Sequence, residues 1–257
     1  MIHPTAIIDP MAEIGEGVDI GPYSVIEQDA SIGEGTKIGP HVVIREGTRI
    51  GKRCHIYQFA SIGEAPQFLG YKGEKTFLQM GDHNIVREFT TLHRGTVKGG
   101  GKTVIGNENF FMAYAHVAHD CQIGNQVIMA NGATLAGHIM IEDHAVIGGL
   151  SAIHQFCQVG THAFISGLTG VSLDIPPYML ASGSRAKLFG LNTVGLKRHR
   201  FSEETLKALK KAYRIIFRSG LTLEKAMKKV EEEEISKTPE VQHLLQFIQR
   251  SKRGISR

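Results

Sequence analysis

The chain has 257 residues, enough for one large domain or for one large and one small. Its 30 glycines, lack of tryptophan and 42% apolar content suit many tight turns and argue against a helical bundle. The net charge of +4 is unevenly spread: residues 192–257 hold 16 Lys/Arg against 8 Asp/Glu, which points to an acidic partner or to a solvated helical surface.

From Ile2 an aliphatic residue recurs every six positions, through Ile8, Ile14, Ile20 and onward to Ile62. The phase breaks, returns at Met80, Val86 and Leu92, breaks again, then runs without a slip from Ile105 to Val171. Four places after each anchor stands a small or β-branched residue, as at Ala30, Thr48, Ala115 and Ala145, and glycine often follows the anchor directly, as at Gly15, Gly33 and Gly51. Six residues make one short flat strand and one turn, with anchor and small residue inward. Three such units close a triangular coil, and coils stack at strand spacing, about 4.8 Å. Residues 1–177 therefore read as a parallel β-helix. Cys54, Cys121 and Cys157 all fall on the small inward position, so they read as reduced, buried space-fillers.

The two breaks, residues 63–79 and 95–104, read as loops thrown out from the prism, and long loops on a rigid scaffold tend to bind ligands. Gly99-Gly100-Gly101-Lys102 has the look of a phosphate loop but lacks its spacing and the helix that should follow. Asp174-Ile175-Pro176-Pro177-Tyr178 ends the repeat, and 178–200 read as an irregular bridge. Residues 201–257 then turn helical. Ser202 with Glu203 and Glu204 marks a start, Leu206, Leu209, Tyr213 and Ile216 share one face, and Gly220 is a stop. A second helix begins near Thr222 and runs into Glu231–Glu234, and a third follows Pro239. A helical unit this small should pack on the β-helix or on a neighbouring subunit.

Two histidines and a carboxylate, His116, His119 and Asp120, lie within five residues. His119 and His138 are 19 apart, hence one coil apart on nearly the same edge. His138 and His144 occupy the same slot on successive faces and point apart, and His144 and His162 read as surface or structural histidines. A metal site wants three converging imidazoles; a general base wants one imidazole oriented by a carboxylate. Asp120 beside His119 fits the second. Neighbouring strand residues point to opposite faces, so that contact requires a corner.

His116-Val117-Ala118-His119-Asp120-Cys121, Leu135-Ala136-Gly137-His138, Ala152-Ile153-His154-Gln155-Phe156-Cys157, Asp174-Ile175-Pro176-Pro177-Tyr178 and Gly195-Leu196-Lys197-Arg198 resemble the acyl-ACP–UDP-N-acetylglucosamine O-acyltransferase family over nearly the whole chain. The resemblance implies a left-handed β-helix with a small C-terminal helical domain, assembled as a homotrimer with active sites between subunits. It implies transfer of an (R)-3-hydroxyacyl chain from acyl carrier protein to UDP-N-acetylglucosamine, opening lipid A synthesis in the cytoplasm. No cofactor, metal, nucleic acid or stable membrane insertion is implied.

By the same resemblance His119 removes the sugar hydroxyl's proton, Asp120 orients it and the Gly137 N–H receives the oxyanion. Gln67, His116, His138, His154 and Gln155 line the pocket, Asn192 and Arg198 reach the nucleotide or the carrier's phosphate, and Gly167 sits at the acyl ruler. There are departures. Phe68 and Gly70 replace an acid and a lysine of the family's Gln-Asp-Leu-Lys loop, Val194 replaces a glutamate, His199 a second arginine, and Ser184-Arg185 an Asn-His pair. Two alternatives stay open at this point: a 3-amino sugar acceptor giving an amide, and a zinc hydratase built on the same repeat. No apolar run reaches membrane-spanning length and no signal-peptide pattern opens the chain, so a soluble cytoplasmic protein is the expectation.

Overall fold

A computed structural model describes residues 1–257. Each six-residue unit forms a strand of about two residues, and within the regular coils each strand pairs in parallel with the one 18 residues on, as Ile7↔Val25 and Ile8↔Ile26, the offset growing only where a loop intervenes. Anchor therefore stacks on anchor, Ile26 on Ile44 and Ile44 on Ile62, all essentially without solvent exposure. The result is a left-handed parallel β-helix. Its first face runs in nine strands from Ile7–Ile8 to Gly170–Val171 and its second in eight from Glu13–Ile14 to Gln158–Val159. The third face has ten, beginning at Asp19–Ile20.

Each corner turns through a residue in the left-handed region, often without glycine: Asp120 has φ +62°, His138 +60°, His144 +61° and His162 +54°. Such a residue costs backbone energy, but stacking one corner on the next brings its side chain against its neighbours above and below. The third–first corner carries an exposed ladder of Tyr23, His41, Phe59, Phe89 and Tyr114, with successive rings 5.2, 5.3, 5.1 and 4.9 Å apart. The second–third corner carries His144 and His162. The first–second corner carries Asp120, His138 and Phe156. Both breaks in the repeat open from this last corner, between Ser61–Glu64 and Phe77–Met80 and between Thr91–His93 and Lys102–Ile105. The scaffold thus gathers both its loops where His119 stands.

Residues 178–200 are more regular than the sequence suggests. Met179–Ser182 pairs antiparallel with Lys187–Leu191 and extends the third face. The diprolyl step destroys the six-residue phase, yet Met179, Ala181 and Leu188 still point inward and close the prism's end. A short helix α1, Thr193–Arg198, follows, with the Asn192 side chain capping Gly195 N–H. Helix α2, Glu203–Arg218, starts on the Ser202 hydroxyl and ends before Gly220, whose φ of +75° breaks the turn. Helices α3, Leu223–Glu231, and α4, Pro239–Arg250, complete the tail.

The tail is fastened to its own prism. Tyr178 Oη lies 3.0 Å from His243 Nδ1, Ser251 Oγ donates to Asp174 Oδ2 at 2.6 Å, and Arg218 donates to the Leu188 carbonyl at 2.9 Å. No helix is long and apolar enough to cross a membrane.

The three cysteines are free and buried. Burial pushes the Cys121 thiol up to about 12 and Cys157 up to about 11. Access and thiolate fraction are both suppressed. A thiol reagent at pH 8 should label none of the three in the folded protein and all three after unfolding, read by mass. Rapid native labelling would contradict the inward placement.

Candidate active site

The left-handed turn at Asp120 sets its side chain beside that of His119 instead of opposite it, which is the corner contact the sequence requires. His119 Nδ1 donates to Asp120 Oδ2 at 2.8 Å, which in the neutral ring makes Nε2 the nitrogen that can accept a proton. The Asp120 carboxylate is fully shielded, while the His119 side chain keeps 12% of its exposure. Buried charge needs hydrogen bonds, and Asp120 has them: Thr96 N–H donates to Oδ1 and Thr96 Oγ1 to Oδ2, each at 2.7 Å. His138 Nε2 lies 3.5 Å from the same Oδ2.

One coil on, Gly137 lies directly beneath the imidazole. A Cβ there would come within 2.6 Å of His119 Cε1, so any side chain would push the imidazole out of place. The Gly137 carbonyl accepts from Phe156 N–H, whereas its own N–H has no acceptor in the chain. His138 is edge-on to His119 at 5.1 Å and stacks on Phe156 at 4.8 Å. Phe68, from the first loop, approaches the His119 ring at 5.8 Å. His116 Nδ1 bonds the Thr91 hydroxyl at 2.7 Å and its ring meets His93 edge-on at 4.9 Å. Burial lowers His116 and His138 below the usual histidine range and takes His93 to about 4, so the three are neutral at pH 7.

The corner therefore unites His119, Asp120, Gly137 and His138 in direct contact, with His116 on the adjoining first face. His154 and Gln155 follow one coil further on the same corner; His154 is exposed and its Nδ1 lies 3.1 Å from the Gln155 carbonyl. Gln67 is exposed on the first loop, which opens from that corner. The others are elsewhere. Asn192 and Arg198 line a pocket of about 650 Å³ at the second–third corner, with His144, His162 and His199. Gly167 is on the third–first corner, beside exposed Leu168.

Sequence reasoning missed Thr96 and Gly99. The triglycine is not a phosphate loop: Thr96 caps a 3-10 turn, Val97–Gly99, that closes over Asp120. A Cβ on Gly99 would fall 2.0 Å from the Asp120 carboxyl carbon. The available signal was glycine at a close approach, which reads identically to glycine in a flexible loop. Gly99→Ala should displace the Asp120 carboxylate, lowering turnover at least tenfold and the melting temperature by several degrees. Unchanged values for both would mean that the turn does not hold the acid.

The comparisons bear on the whole chain. A family profile described as UDP N-acetylglucosamine O-acyltransferase, domain 2, matches residues 174–256, and a bacterial transferase hexapeptide profile matches 29–64 and 102–137. An acyl-[acyl-carrier-protein]–UDP-N-acetylglucosamine O-acyltransferase of Thermodesulfovibrio yellowstonii is 56% identical over 256 residues, covering 100% of this chain and 99% of that protein. One from a Janthinobacterium species is 53% identical at the same coverages. Among solved structures, a UDP-N-acetylglucosamine O-acyltransferase of Moraxella catarrhalis superposes with a TM-score of 0.96 at 46% identity, covering 100% of this chain and 99% of that one. A UDP-N-acetylglucosamine acyltransferase of Bacteroides fragilis gives 0.97 at 41%, covering both chains completely.

Proposed function

The chain belongs to the UDP-N-acetylglucosamine O-acyltransferase family, and on that premise we propose that it moves an (R)-3-hydroxyacyl chain from acyl carrier protein to the 3-hydroxyl of UDP-N-acetylglucosamine, opening lipid A synthesis. The product is an ester, as the relatives' names state for those enzymes. The observation that carries the reading is the single free Nε2 of His119, its other nitrogen fixed by a shielded carboxylate, set against an unpaired backbone N–H at Gly137.

The chemistry follows from that arrangement. His119 Nε2 takes the proton of the sugar hydroxyl as its oxygen attacks the thioester carbon. The carbonyl oxygen gains the charge and receives the Gly137 N–H. Collapse of the tetrahedral intermediate breaks the carbon–sulfur bond, and the imidazolium returns its proton to the departing thiolate of the carrier. Asp120 holds the tautomer and offsets the transient charge. General base catalysis contributes on the order of 10²–10⁴ in rate and one oxyanion donor about 3 kcal/mol. A thioester is already activated, so no cofactor enters this scheme.

The prism's three corners favour a site shared between copies. Arg198 and Asn192 cannot serve His119 of the same chain from another corner, but a second prism packed alongside would present them. This supports a homotrimer with three equivalent clefts. His154, Gln155 and Gln67 would line the cleft from the first–second corner. Arg198 would pair with a phosphate, and the basic tail would meet the acidic carrier protein. Both substrates belong to the cytoplasm, which is where we place the enzyme.

Gly167 would border the end of the acyl chain. A Cβ there meets the Gly149 carbonyl at 3.2 Å, so a side chain must project away from the prism. Gly167→Met should shift preference to shorter acyl chains; an unchanged profile over a ladder of chain lengths would remove Gly167 from that role. The reading as a whole is tested by supplying UDP-N-acetylglucosamine with (R)-3-hydroxyacyl carrier proteins and identifying the product by mass. Absence of a sugar ester with every donor would overturn it.

A further inference from the structure

The second–third corner holds a histidine cluster that the transfer scheme does not use. His144 and His162 stand one coil apart at equivalent left-handed positions, so their rings stack, with centroids 4.5 Å apart and planes within 8°. His199, the residue that caps the C-terminus of α1, stands edge-on to both at 4.9 and 4.6 Å. One ring nitrogen from each lies within 4.8 Å of the other two.

Nothing in the chain satisfies these rings. His144 Nδ1 is buried with no partner. His162 and His199 make their hydrogen bonds through their backbones, to Asn192 and within α1. A buried imidazole nitrogen without a partner costs stability, so His144 Nδ1 calls for something to engage it. The charged groups facing them are Asp143 and Glu108 on the prism and Arg198 on α1. Asp143 Oδ1 accepts from both the backbone N–H and the side-chain amide of Asn125.

We propose that His144, His162 and His199 bind one borderline divalent cation, Zn²⁺ or its Co²⁺ substitute, through three imidazole nitrogens. Three histidines with one open position form a recognised donor set for such ions. The open position faces the pocket lined by Arg198 and Asn192, so the ion would add positive charge where a phosphate is expected. Binding requires the stack to open, because parallel rings cannot both aim at one ion. Rotation about Cβ–Cγ is a soft torsion, and His199 is exposed and free to follow. The link to a phosphate rests on the proposed function, but metal retention does not: the three imidazoles lie on a different corner from the same chain's His119, and the ion can be counted without turnover.

The test loads the full-length protein with Zn²⁺, dialyses it and counts metal per chain, with Co²⁺ absorption and thermal melting in parallel. Wild type and His119→Ala should each retain one ion per chain, show the visible bands of a tetrahedral Co²⁺ site and melt higher with metal. His199→Ala and His144→Phe should lose all three signatures. His199 is exposed, so its removal leaves the core intact and its result decides the matter even if His144→Phe folds poorly. Failure of wild type to retain an ion would overturn the proposal. So would retention by His199→Ala with loss in His119→Ala, which would place the ion on His119, Asp120 and His138 instead.

Discussion

His119→Ala should lower kcat by about 10²–10⁴-fold while leaving the fold and the KM for the sugar nucleotide nearly unchanged. A general base acts only as the attacking oxygen loses its proton, so its loss is felt in the transition state and little in binding. The ring is also dispensable to the prism. It lies outside the stacked core, on the surface of Gly137, and its single hydrogen bond is to Asp120, which keeps both bonds from Thr96. Paired measurements of kcat, KM and melting temperature check this. Turnover near the wild-type value in a folded variant would remove His119 from the role.

Asp120→Asn should lower kcat by a comparable factor through the tautomer, with the atoms hardly displaced. The Thr96 N–H continues to donate to the retained oxygen. The new amide group takes the place of Oδ2, facing the Thr96 hydroxyl and His119 Nδ1. An amide donates there, so Nδ1 must accept and the imidazole proton moves to Nε2, the atom that has to act as base. The hydroxyl can rotate to accept, so stability should change little. Asp120→Ala is the contrast: it leaves the buried Thr96 N–H unpaired and should cost about 1–3 kcal/mol in addition to activity. Nitrogen shifts of the His119 ring report the tautomer directly. An asparagine variant with normal kcat would show that the carboxylate neither sets the tautomer nor stabilises the charge.

The fold was legible because one rule governs it. A bulky anchor every six residues and a small residue four places later leave the chain few alternatives, and no helix pattern imitates that over eleven successive units from Ile105 to Val171. The meeting of His119 with His138 was legible for the same reason. Residues 19 apart share an edge, which brings His138 to His119, while His138 and His144 are carried to different corners; Gly137 entered only through the family resemblance. Contacts outside the repeat were not legible. Thr96 meets Asp120 across a loop whose shape depends on three glycines with no periodic rule. The hairpin from Met179 to Leu191 follows a diprolyl step that erases the phase. His199 converges on His144 and His162 only because α1 turns back over the third face, which no spacing within the repeat encodes.

The central claim is that His119 of one prism works on a substrate held by Arg198 of another. Co-expression of His119→Ala with Arg198→Glu tests it, each variant being nearly inactive alone. If the two residues meet across a subunit boundary, random mixing leaves about a quarter of the clefts with both residues intact, and activity should return to about a quarter of wild type. If mixed assemblies form and activity stays at the level of the separate variants, the two residues serve the same chain and the shared cleft is wrong.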